Sequence, residues 1–118
     1  MSKQTSPAFP LYADDWLGSS AIDLMSPAEE GAYIRLLCHA WNSEDCGLPD
    51  DDKKLAIHSR LGKAWRNGSG AKIRENFIVK DGRLYNLRLL EIWTEQKEYR
   101  EQKAKAGKKG ADARWHNQ

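Results

Sequence analysis

The chain has 118 residues, enough for one domain, with 40% hydrophobic and 31% charged side chains. No apolar run approaches the roughly 18 residues needed to span a bilayer, and Met1–Pro7 lacks the apolar core of a signal peptide, so neither membrane insertion nor export is expected. Cys38 and Cys46 are the only cysteines and have neither a disulfide-framework nor a Cys-x-x-Cys zinc spacing, so a cytoplasmic protein is expected.

Charge is segregated along the chain. Residues 1–52 carry a net −8, residues 53–88 carry +8, residues 89–96 carry −2 and residues 97–118 carry +4. A basic block of that density in a small domain points to a polyanion-binding face.

Residues 1–8 read as a flexible arm, 9–93 as the domain, and 94–118 as a projecting helix end with a basic, flexible tail. Phe9-Pro10-Leu11-Tyr12 is expected to be extended, because proline disfavours helix in the residue before it. A short helical turn is expected between Asp14 and Leu24, around Trp16 and Leu17.

The first long helix is predicted over 26–42. Ser26 can cap, Pro27 suits the first helical position and Glu29 stands where a capping box places its acid. Tyr33, Leu36, Leu37, Ala40 and Trp41 form one apolar stripe, with Glu29 outside it and Cys38 read as a small core filler. Leu48-Pro49 is long enough only for a β-bridge.

Three acids, Asp50–Asp52, favour the start of a second helix over 51–61, ended by Gly62. A third helix is predicted over 63–76, with Asn67-Gly68-Ser69-Gly70 as an interruption that delays or splits it. Two β-prone runs flank Asp81-Gly82, which predicts a type I′ hairpin over 77–86. A last helix is predicted over 87–103. The expected core centres on Leu37, Trp41, Trp65, Phe77 and Trp93.

The fold class is therefore mainly α with a small β-hairpin, in the order of a winged helix, a helix-turn-helix variant. The expected DNA-contacting set is Lys63, Arg66, Lys72, Arg74, Lys80, Arg83 and Arg88 on the third helix, the wing and the start of the last helix. Lys105, Lys108, Lys109 and Arg114 join it from the tail, where Trp115 reads equally as a residue that stacks on bases or docks a partner and as a disordered side chain. His39, His58 and His116 are scattered in sequence, and no nucleophile elbow or phosphate loop occurs, so no catalytic residue, metal site or cofactor is expected.

Phe9–Trp16, Leu24–Tyr33, Leu36-Leu37 leading to Trp41, Gly47–Asp51, Trp65, Phe77 with its hairpin, Asn86–Leu89 and Ala106–Trp115 together resemble the YdaU-like family of phage and prophage proteins. That family is a domain of unknown function, similar to the amino-terminal winged-helix domains of phage replication initiators. The resemblance implies a phage or prophage replication setting, and the charge layout on the third helix and wing makes duplex DNA the expected partner. The other expectation is an adaptor whose acidic amino-terminal half docks a replication or host protein.

Overall fold

A computed structural model describes residues 6–116, with side chains to residue 106. The protein is mainly helical, with a small three-stranded antiparallel sheet.

Two short helices, α1 (Ala13–Leu17) and α2 (Ser20–Asp23), precede the central helix α3 (Pro27–Trp41). The capping box at its start is formed as expected: Glu29 N–H donates to Ser26 Oγ at 3.1 Å, and Ser26 N–H donates to Glu29 Oε1 at 2.8 Å. The whole stripe Tyr33, Leu36, Leu37, Ala40 and Trp41 is buried. Two residues depart from expectation. Cys38 is exposed, one position off the stripe, and Cys46 is the buried thiol. Glu29 is also buried, since Lys72 covers it from outside the helix.

Strand β1 (Leu48–Pro49) leads into α4 (Asp52–His58). Of the three acids, Asp51 is the cap, accepting from Lys53 N–H at 2.9 Å and Lys54 N–H at 3.2 Å. The helix stops at His58, short of the predicted 61. Ser59 Oγ donates to Ala56 O and accepts from Leu61 N–H, and Arg60 takes a left-handed conformation (φ 68°) that turns the chain away.

The predicted third helix is split. Trp65–Ser69 forms a wide helical turn, with non-helical backbone at Asn67 and Gly68 (φ 113°), before α5 (Gly70–Arg74). Gly68 supplies a φ that side-chain-bearing residues rarely adopt.

Strands β2 (Ile78–Lys80) and β3 (Arg83–Tyr85) form the predicted hairpin, with positive φ at both Asp81 and Gly82 as a type I′ turn requires. The strand order is β1-β3-β2, and Leu84 lies between Leu48 and Val79. So Leu48-Pro49 is a true third strand.

Asn86 joins hairpin, core and last helix. Its Nδ2 donates to Tyr33 Oη at 2.8 Å and to Asn76 O at 3.0 Å, and its Oδ1 accepts from Leu89 N–H at 2.9 Å, capping α6 (Leu87–His116). That helix passes its predicted end near 103 and continues to His116. Alanines and long charged side chains in this stretch favour helix even without a core to pack on. Its projection makes the molecule elongated, 68 × 30 × 21 Å.

Leu37, Trp41, Trp65 and Phe77 are core residues as expected. Trp93 is only half-buried, and its Nε1 has no partner among the described residues. Among these residues no helix is long and apolar enough to cross a membrane.

Candidate nucleic-acid interface

The basic residues singled out from sequence divide into two groups by what they touch. Four are held by acids from the opposite half of the chain. Arg83 grips Asp45 with two hydrogen bonds, Nη2 to Oδ1 at 2.7 Å and Nε to Oδ2 at 3.1 Å, and also donates to Gly47 O at 3.0 Å. Tyr85 Oη adds a third donor to Asp45 at 2.9 Å. These donors, Arg83 foremost, hold the Asp45 carboxyl well below the usual carboxylate range.

Arg74 lies between Asp50 and Asp52, and Asp52 also accepts from Trp65 Nε1 at 2.9 Å. Lys72 reaches Glu29 at 3.1 Å. Arg88 pairs with Asp15 at 3.5 Å and Glu91 at 3.3 Å, and its guanidinium lies over the Tyr12 ring. Four of the ten cations of the +8 block thus have their counter-charge in the −8 block. Sequence segregation does not become spatial segregation.

Lys63, Arg66, Lys80 and Lys105 are exposed and form no ion pair among the described residues. Lys63 stands just past the Gly62 turn, at the helical start that leads into the wide turn. Arg66 stands on the wide turn, beside a groove that it shares with Asp52, Trp65, Arg74 and Glu75. Lys80 is on the hairpin, opposite Arg83 in register. That like-charged pair is tolerable because Asp45 neutralises Arg83. The side chains of Lys108, Lys109, Arg114 and Trp115 lie outside the described residues.

Lys53, Lys54 and Arg60, not singled out from sequence, are equally exposed and free of ion pairs among the described residues. With Lys63 and Arg66 they give the segment 53–66 five such cations. The signal for them was the same charge block, without a way to separate paired from unpaired members.

Sequence reading also missed two other features. His39 on α3 and His58 on α4 meet, with ring centroids 4.4 Å apart. Partial desolvation, then the nearby His58 and Arg35, pulls the His39 imidazole below its usual value. Burial pushes the Cys46 thiol up to about 12, which makes it an unreactive core group. Among the described residues no cluster of three potential metal ligands occurs.

The Glu29 site carries a pH prediction. The Ser26 backbone N–H, then the Ser69 hydroxyl and Lys72, lower its pKa from 4.5 to about 2. A depressed folded pKa stabilises the fold above the unfolded value and is lost as pH falls through the folded one. Stability should therefore decline between about pH 4.5 and pH 2. Urea midpoints across that window should fall in the parent, and less steeply in Glu29→Gln. Identical profiles would contradict the assignment.

The protein is a small helical domain with a three-stranded antiparallel sheet, in which basic side chains are divided between internal ion pairs and free surface positions. The chain belongs to the family described as Protein of unknown function (DUF1376), whose family model matches residues 7–93. No curated protein and no solved structure matches the chain.

Proposed function

We propose that this chain is a non-catalytic DNA-binding module of winged-helix type. The order α3-β1-α4-α5-β2-β3 with sheet order β1-β3-β2 supports the winged-helix reading, with β2–β3 as the wing. The observation that carries the binding reading is the unpaired set Lys53, Lys54, Arg60, Lys63 and Arg66 over α4 and the turn that follows, with Lys80 on the hairpin. These cations can neutralise phosphates without first breaking a protein ion pair, whereas Arg74, Arg83 and Arg88 would exchange one carboxylate for another anion. Phage or prophage replication is the setting that the family resemblance implies.

Six phosphate contacts would weaken binding about 10³-fold between 50 and 200 mM salt. Fluorescence anisotropy with a labelled duplex, repeated across that range, should show this steep loss. Absence of binding at 50 mM, or binding insensitive to salt, would refute the proposal.

A second reading has its own support. Leu17 and Leu24, each 75% exposed, stand with exposed Leu11 and Tyr12 in the acidic amino-terminal half. They favour a protein-docking role for that half if duplex binding is absent.

A further inference from the structure

The contact between His39 and His58 has no evident structural purpose. The two residues are far apart in sequence and come from different helices, and neither imidazole makes a hydrogen bond to protein among the described residues. His39 is exposed and His58 half-buried, so solvent reaches the pair. No carboxylate pairs with either ring among the described residues. Both rings therefore have ring nitrogens not engaged by protein groups among the described residues.

We propose that His39 and His58 form a two-histidine site for a divalent transition-metal ion that prefers cis, near-right-angle ligation, such as Ni²⁺ or Cu²⁺. The ring separation is the guide to the class. An ion about 2.1 Å from an imidazole nitrogen lies about 3.2 Å from the ring centroid, so a ligand angle of roughly 90° separates two centroids by about 4.5 Å, and a tetrahedral angle by about 5.2 Å. The observed separation is 4.4 Å, with the ring planes tilted by 37°. With a ring nitrogen of each turned to a common ion, that separation is one a near-right-angle ligand pair reaches. Water would complete the coordination shell, so exchange with solvent is open. The bound ion would tie the end of α3 to the end of α4. Arg35, one turn earlier on α3, opposes the ion's charge.

The test is calorimetric titration of the full chain with NiCl₂ and, separately, ZnCl₂. It is done in a Cys38→Ser background so that the exposed thiol does not compete. One Ni²⁺ per chain is expected, bound more tightly than Zn²⁺. His39→Gln and His58→Gln should each weaken Ni²⁺ about tenfold or more, while His116→Gln leaves it unchanged. Circular dichroism of each variant verifies the fold. No Ni²⁺ binding by the parent, parental affinity in the His39 or the His58 variant, or tighter binding of Zn²⁺ would overturn the proposal and leave the pair as a packing contact.

Discussion

Trp41→Ala should destabilise the protein by about 3–5 kcal/mol. Trp41 ends the apolar stripe of α3 and is only 2% exposed. Its Nε1 donates to Ser6 O at 2.7 Å, and its ring lies 5.5 Å from that of Phe9. Truncation removes the largest fully buried side chain, leaves the Ser6 carbonyl without its donor and frees the amino-terminal segment from the end of α3. Against a total stability of about 5–15 kcal/mol for a domain this size, the loss is a large fraction. Trp41→Phe keeps most of the packing and should cost less, since the hydrogen bond contributes about 1 kcal/mol. Urea unfolding of the three proteins should rank them in that order. An unchanged midpoint for Trp41→Ala would show that the segment around Phe9 does not close the core.

Gly70→Ala is the second large effect, and its sign is informative. Gly70 has ordinary helical angles (φ −60°, ψ −45°), so its glycine is not demanded by conformation. On helix propensity alone, alanine should gain about 1 kcal/mol. Space decides the other way. A Cβ there would lie 2.5 Å from Trp65 O and 2.6 Å from the indole Cε2. Trp65 is buried, and its Nε1 is tied to Asp52, so the ring has no cheap escape. A net loss of about 1–3 kcal/mol is expected. Gly31, within α3, is the control, because nothing lies within 4 Å of the Cβ it would gain. Gly31→Ala should be neutral or stabilising. If both substitutions stabilise alike, the close packing of Trp65 on α5 is wrong.

What could be read from the sequence was local. The Ser26–Glu29 capping box, the period of the α3 stripe and the Asp81-Gly82 turn are each fixed by neighbours a few residues apart, and each stands where it was expected. The split before α5 was foreshadowed by Gly68, but the wide turn depends on Trp65 docking under α4. The length of α6 was underestimated because apolar content falls after Trp93, and a projecting helix needs no apolar face.

The candidate interface was the least legible part. Composition showed ten basic side chains in residues 53–88. It could not show that Arg83 meets Asp45, 38 residues away, or that Lys72 meets Glu29, 43 residues away. Such pairings depend on tertiary closure, which charge counting does not contain. The same is true of His39 and His58.

The division of cations into free and paired sets is the central claim, and the salt dependence of duplex binding tests it most directly. Three proteins are compared by plotting log affinity against log salt: the parent, a triple Lys63→Gln, Arg66→Gln, Lys80→Gln variant, and a triple Arg74→Gln, Arg83→Gln, Arg88→Gln variant. Each phosphate contact contributes about 0.9 to the slope, so the first variant should be shallower than the parent by about 2.7. The second should melt earlier, because Asp45 and Asp50 lose their partners, yet retain the parental slope when measured well below its melting temperature. An equal flattening in both variants, or flattening in the second alone, would contradict the account.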